Sequence, residues 1–397
     1  MNADALPHTP ERAPPHVPQH VLMTTDTVGG VWSHALELAA GLGEGGVRVS
    51  LATMGAPLTP VQRAQAASLP GLQLHESDWR LEWMNEPWDD VRRAGDWLLG
   101  LERAVQPDVV HLNQFAFGAL PFAAPKLVVA HSCVASWWRA VHRQLAPAGW
   151  DTYRKAVRQG LDGADVVGAP TEAMLSSLAL DYGYIEGGLV LPNGRSPAMF
   201  VPGDKEPVVL SAGRLWDAAK NLAALQAVAT RLLWPVCVAG SASPPGAGEC
   251  GIQAPGVLWL GELAPDALAA QFSRASIYAL PARYEPFGLT ALEAALSQCA
   301  LVLGDVPSLR EVWGDAALYV QPEDHEALHA ALMRLIDDPP LRQQMALKAW
   351  ERARHFTPAR MVDAYLSAYA RLLAPAAPRT AGARRTRRKA KEPACAS

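Results

Sequence analysis

"HVLMTTDTVGGVWSHALELAAGLGEGGVRVSLAT", residues His20 to Thr53, decides the fold. "HVLMTT" is a short apolar run that turns polar, the pattern of a buried strand feeding a loop. "DTVGG" (Asp26 to Gly30) supplies the loop. "VWSHALELAAGLGEGG" then carries apolar residues at helical spacing until its glycines stop it. "VRVSLAT" (Val47 to Thr53) is the second strand. Strand, helix and strand in that order form a βαβ unit with parallel strands.

The alternation continues outward. "PDVVHLN", "KLVVAHS" and "ADVVGAPT" are short β-branched runs that end in polar residues. In parallel sheets, ligands bind beyond the C-terminal strand ends. His131, Asn113 and the Gly29–Gly30 loop all lie at such ends. "GGLVLPNGRSPAMFVPGD" (Gly187 to Asp204) interrupts the rhythm with prolines and glycines and marks a domain boundary. Alternation then restarts through "PVVLSAGR", "WPVCVAG", "GVLWLGE", "SIYALPA", "ALVLGD" and "ALYVQP". The expected fold is α/β, with two Rossmann-like doubly wound domains in tandem. The expected divisions are a disordered arm (1–18), a first domain (19–190), a second domain (191–357), a last helix (358–374) and a basic disordered tail (375–397).

Composition bounds the function. The 397 residues, half of them hydrophobic, suffice for two cores. A formal net charge of -4 gives no reason to expect a nucleic-acid partner. The tail "RRTRRKAKEPACAS" is the exception, a solvated basic block suited at most to weak contact with an anionic surface such as a membrane. Five scattered cysteines without a C-x-x-C pair read as reduced thiols of a cytoplasmic protein, with the inner membrane surface the place such a tail would reach. The N-terminus does not read as a signal peptide, and no apolar run is long enough to span a bilayer.

Two motifs are decoys. "GLGEGG" (Gly41 to Gly46) satisfies G-x-G-x-x-G, but follows a helix and precedes a strand, the reverse of a dinucleotide site. "HEALH" (His325 to His329) satisfies H-E-x-x-H, yet "PEDHEAL" is the signature of an exposed helix start, and the nearest later histidine is His355. No metal site is expected.

The chemistry concentrates in the second half. In "SAGRLWDAAKN", Arg214 and Lys220 flank a strand exit, where two close cations either suit a diphosphate or are solvated surface charges. In "ARYEPFGLTALEAAL" (Ala282 to Leu296), Pro286 and Gly288 are poor helix residues, so the helix begins near Leu289 or Thr290. The free N–H groups of such a start form an anion site. Glu285 then precedes the helix at the cleft, and Glu293 lies about one turn in. Glu293 either is a surface acid or, given its apolar neighbours, is semi-buried and needs partners. His131 reads as a structural histidine or as a polar ligand or catalytic group at the cleft edge. Trp79, Trp83, Trp88, Trp137 and Trp138 either fill a core or stack on acceptor rings.

Together these pieces resemble family 4 of the retaining glycosyltransferases, which have the GT-B fold, over about residues 20 to 372. The hallmark is met by Glu285, Pro286, Phe287, Gly288, Leu289 and Glu293, two glutamates eight positions apart. "AGRLWDAAKN", "LPNGRSPAMF", "TDTVGGVWSHALELAAGL" and "SLREVW" (with Glu311) match further segments in the right order. The resemblance implies two domains facing a central cleft. It implies a hexosyltransferase moving a sugar from a nucleoside-diphosphate sugar (uracil, guanine or adenine base), with retention and without metal or other cofactor. Glycan, lipid-linked and small-molecule acceptors all fit, as does a place in polysaccharide biosynthesis. In the implied site, Arg214 and Lys220 bind the diphosphate. The backbone from Phe287 through Gly288 and Leu289 to Thr290 meets sugar and phosphate. Glu293 holds the ribose, Glu285 and His131 touch the transferred sugar, and Gly29 and Gly30 allow close approach to the phosphates. The last helix is expected to cross back onto the first domain. One departure stands out: the family commonly has Val-Asp after P-N-G, and this chain has Arg195-Ser196. A nucleotide-sugar epimerase or hydrolase of similar fold, and a non-catalytic sugar-nucleotide binder, are the competing readings.

Overall fold

A computed structural model describes residues 17–244 and 256–374. Nearly all of the N-terminal arm (1–16) and the whole basic tail (375–397) lie outside the described residues. The first sheet has seven parallel strands: β1 (His20–Asp26), β2 (Arg48–Met54), β3 (Leu72–His75), β4 (Val109–Leu112), β5 (Lys126–Val129), β6 (Val166–Ala169) and β7 (Leu189–Val190). Their spatial order is β3-β2-β1-β4-β5-β6-β7. The second sheet has six: β8 (Glu206–Ala212), β9 (Val236–Ala239), β10 (Val257–Trp259), β11 (Ala275–Leu280), β12 (Ala300–Gly304) and β13 (Leu318–Val320), ordered β10-β9-β8-β11-β12-β13.

Helices cover both faces of each sheet, so the central strands are buried on both sides. All of β1, β11 and β12 is buried, which is why they read as continuous apolar runs and do not alternate. Each sheet accordingly has two core clusters, one per face. "GLGEGG" is a helix end and turn, and His325 opens a helix capped by Asp324.

Strand order reverses between β1 and β4 in the first sheet and between β8 and β11 in the second. These switch points leave crevices at the C-terminal strand ends, and the two crevices face each other. A Cβ built on Gly29 would lie 3.6 Å from the Arg214 guanidinium, and one on Gly30 would lie 3.2 Å from Leu289 Cδ1. Gly29 has φ +90°, so an L side chain there would be strained as well as intrusive.

Two crossings join the halves. The linker after β7 runs against the segment that enters the last helix, with Arg195 N–H donating to Phe356 O at 3.0 Å. That helix (Pro358–Leu373) lies on the first sheet, burying Met361, Val362, Tyr365 and Tyr369 with the helix Gly30–Glu44. No described helix is long and apolar enough to cross a membrane.

Candidate active site

The eleven residues expected to bind the donor or act on it line one cleft of about 1420 Å³ between the two sheets: Gly29, Gly30, His131, Arg214, Lys220, Glu285, Phe287, Gly288, Leu289, Thr290 and Glu293. That volume exceeds the usual range for a single small ligand and suits two substrates side by side.

Arg214 leaves β8 and pairs with Asp217 at 3.2 Å. Asp217 also caps the short turn Ala218–Lys220, which aims Lys220 back at the cleft. Lys220 Nζ lies 2.5 Å from Glu285 Oε2. Glu285 sits in the loop after β11, where its backbone carbonyl accepts the Ser308 hydroxyl and Pro286 O accepts the Thr171 hydroxyl at 3.0 Å. Gly288 turns the chain with φ +92° into the helix Leu289–Leu296, which has no side-chain N-cap. Its first N–H groups therefore remain available to an anion beside Arg214 and Lys220. Thr290 is held from beneath by the Tyr278 hydroxyl at 2.7 Å.

Glu293 is buried, and its partner is Arg195, the residue that departs from the family pattern. Arg195 Nε donates to Glu293 Oε1 at 2.8 Å, while its Nη1 reaches Glu37 Oε2 at 3.0 Å. Glu37 belongs to the first domain and Glu293 to the second, so one guanidinium bridges both. Burial pushes the Glu293 carboxyl above its ordinary range, and Arg195 opposes that shift. Nothing in "LPNGRSPAMF" signals these partners, which lie 158 and 98 residues away in sequence.

On the first-domain side, His131 Nε2 lies 2.7 Å from Asn113 Oδ1. Asn113 Nδ2 donates to Thr24 O at 2.6 Å, which fixes the amide so that Oδ1 must accept from His131. His131 therefore carries its proton on Nε2 and leaves Nδ1 as an acceptor. Burial holds it well below the usual histidine range, reinforced by His34 and His111. The His34 ring stands 4.6 Å from it. Asp26 ends β1, and burial raises its carboxyl to about 7 against the pull of Arg214. Glu82 is likewise raised to about 7 by burial, although it accepts the N–H groups of Ala116 and Phe115 at 2.7 and 3.0 Å.

The two walls are tied together across the cleft. Trp137 Nε1–H donates to Asp217 Oδ1 at 2.9 Å, and Cys133 N–H donates to the Tyr284 hydroxyl at 3.1 Å. Glu311 accepts the N–H groups of Glu172 and Ala173 at 2.8 and 2.9 Å, capping a first-domain helix from the second domain. Of the five tryptophans, Trp79, Trp83 and Trp88 pack against a core cluster, while Trp137 and Trp138 line the cleft, as does Trp83. Among the described residues, no group of three or more His, Cys, Asp and Glu is placed to hold a metal ion, and the three described cysteines are free and buried.

Two family models match in tandem: "Glycosyltransferase Family 4" over residues 28–198 and "Glycosyl transferases group 1" over residues 198–352. The chain belongs to the family 4 glycosyltransferases. Their junction at residue 198 falls in the linker that carries Arg195. Among curated relatives, glycogen synthase of Mycobacterium tuberculosis is 38% identical over 96 residues, which is 24% of this chain and 23% of the relative. The chain thus covers about a quarter of the length of the first curated relatives it matches. Among solved structures, sucrose-phosphate synthase from Thermosynechococcus elongatus superposes with a TM-score of 0.73 at 19% identity, covering 90% of this chain and 99% of that one. Anabaena HepE in complex with UDP-glucose gives 0.69 at 14% identity, covering 89% and 99%. These superpositions establish the GT-B arrangement of the two family 4 domains.

Proposed function

We propose that the chain is a retaining glycosyltransferase that moves a hexosyl group from a nucleoside-diphosphate sugar to a hydroxyl acceptor. The observation that carries this reading is the convergence of Arg214, Lys220 and the uncapped start of the Leu289 helix at one point of the cleft, opposite Gly29. Two cations and a set of free N–H groups suit a diphosphate and its developing charge. HepE's complex with UDP-glucose supports a donor of this class.

In this reading the donor spans the helix start. The ribose diol meets Glu293, whose orientation Arg195 fixes. The diphosphate meets Arg214, Lys220 and the helix N–H groups. The hexose meets Glu285 and the bare Nδ1 of His131, which accepts a sugar hydroxyl. As the bond from the anomeric carbon to the phosphate oxygen breaks, charge accumulates on the phosphate, and the cations stabilise it. The acceptor oxygen bonds to the anomeric carbon on the same face, and its proton passes to the departing phosphate oxygen. Glu285 is not the nucleophile, because its carboxylate is engaged by Lys220 and faces the Phe287 N–H. The cross-cleft bonds of Trp137, Thr171 and Glu311 hold the domains closed and exclude water.

The test is a donor panel (UDP-glucose, GDP-mannose, ADP-glucose) with release of nucleoside diphosphate followed and the product anomer read by NMR. Retention of configuration supports the proposal. Inversion, interconversion of the donor without an acceptor, or a covalent sugar adduct on Glu285 contradicts it.

A further inference from the structure

The first-domain wall of the cleft, from Asp26 to Tyr153, has a chemistry of its own. Among the described residues that line it there is no lysine or arginine; its acids are Asp26 and Glu82. The cations of the cleft, Arg195, Arg214 and Lys220, come from the linker and the second domain, and each is paired with an acid there or across the hinge. The uncapped start of the Gly30 helix stands against Arg214 and so belongs to the donor phosphates.

What the wall offers instead is aromatic surface and a neutral amide. Trp83, Trp138 and Trp150 line it, half-buried, and their indole N–H groups make no hydrogen bond among the described residues. Gln114 lies between Asn113, which fixes His131, and Phe115, whose N–H is held by Glu82. Gln114 lines the cleft but is only 5% exposed; its Nε2 and Oε1 lie just beneath the cleft surface, neither with a partner, and a side-chain turn would bring them to it. A buried amide left without partners costs free energy unless a ligand supplies them.

We infer that the acceptor is an uncharged sugar, bound by stacking of its ring on these tryptophans and by hydroxyl hydrogen bonds to the Gln114 amide, and that phosphorylated sugars are rejected. The inference rests on the transferase reading above and names the substrate class of its acceptor side. A planar indole suits the C–H face of a pyranose, and an amide both donates to and accepts from hydroxyls. A phosphate monoester needs arginine, lysine or a free helix start, and here it would face Asp26 and Glu82. A site built to hydrogen-bond hydroxyls discriminates strongly against ligands that leave its polar groups unpaired.

The experiment uses the full chain with the donor panel above and two acceptor sets. The neutral set is methyl α-glucopyranoside, methyl α-mannopyranoside and methyl β-galactopyranoside. The phosphorylated set is glucose 6-phosphate, mannose 6-phosphate and myo-inositol 3-phosphate. Products are read by mass spectrometry, and nucleotide binding is measured separately by calorimetry. Transfer to a neutral glycoside, with every phosphorylated sugar at least about tenfold poorer, is the expected result. Gln114→Leu should raise the acceptor KM by about tenfold or more while the nucleotide Kd shifts by less than about threefold. Preference for a phosphorylated sugar overturns the inference, as does the absence of transfer to any neutral glycoside by a protein that binds nucleotide. A protein that binds no nucleotide fails at the transferase reading instead, and the acceptor inference falls with it.

Discussion

Arg195 and Glu293 form a buried ion pair at 2.8 Å, and the same guanidinium holds Glu37 at 3.0 Å in the opposite domain. The pair joins the interdomain linker to the second-domain wall of the cleft. A buried acid that needs a counter-charge thereby obtains it from the linker between the domains.

Removing Arg195 leaves Glu293 buried and unpaired. In Arg195→Ala the Glu293 carboxyl should rise further, since burial raises it and Arg195 is the largest opposing influence; Glu37 adds to the rise, and the Tyr278 hydroxyl lies nearby. Two consequences have opposite signs. Donor binding that needs the carboxylate is lost as pH falls, and in the variant it is lost at higher pH than in the wild type. Stability moves the other way, because the variant becomes more stable as Glu293 takes up a proton. At pH 8 the variant should lose roughly 3 kcal/mol of stability, as expected for breaking a buried pair. Denaturant melts and nucleotide titrations across pH 5–8 check both.

Lys220→Ala and Arg214→Ala should each lower kcat by roughly 100- to 1000-fold, with a smaller change in acceptor KM. Lys220→Ala also leaves Glu285 without its 2.5 Å partner. Steady-state kinetics with saturating donor are the measurement. Near-normal turnover in both variants would remove the phosphate assignment.

The histidine cluster predicts a pH dependence of stability. Burial holds His34 near about 4 and His111 near about 3 in the folded protein, below the ordinary 6.5. The unfolded chain binds more protons below pH 6.5, so stability falls as pH drops from 6.5 toward 4. For His34 alone the integrated loss is about 3 kcal/mol. His131 is also held well below the ordinary histidine range, by burial first and then by His34 and His111, so it shares this direction. Urea melts from pH 7 to 4.5 test the slope, and His34→Gln should flatten it.

Glu311 acts across the domain interface and not on substrate. Glu311→Ala removes the cap on Glu172 and Ala173 and should cost about 1 kcal/mol. Donor KM should rise a few-fold through a less favourable closure, with kcat nearly unchanged. A loss of kcat comparable to that of Lys220→Ala would instead place Glu311 at the chemistry.

Much of this was legible in the sequence, for identifiable reasons. Strands such as β1 and β11 are buried on both faces, so their apolar runs stand out without an alignment. Arg214 and Lys220 could be placed because they follow a strand exit directly, and Pro286 and Gly288 fixed where the helix begins. The apolar surroundings of Glu293 called for a partner, but the sequence could not name Arg195, whose role depends on a contact made across the fold. Gln114 and Glu82 were hidden for the same reason: a buried amide or acid in an apolar stretch gives no sign of where it points. Trp137 and Trp138 could have filled a core, and only the close approach of Asp217 from the second domain places them at the cleft.

The Leu289 helix start, Arg214 and Lys220 together form the proposed grip on a diphosphate. Calorimetric titration with UDP, GDP and ADP, and with the corresponding monophosphates, tests it most directly. The preferred diphosphate should bind roughly 100-fold more tightly than its monophosphate. Most of that difference should vanish in Lys220→Ala. Equal affinity for the two, or a difference that survives in Lys220→Ala and Arg214→Ala alike, would contradict it.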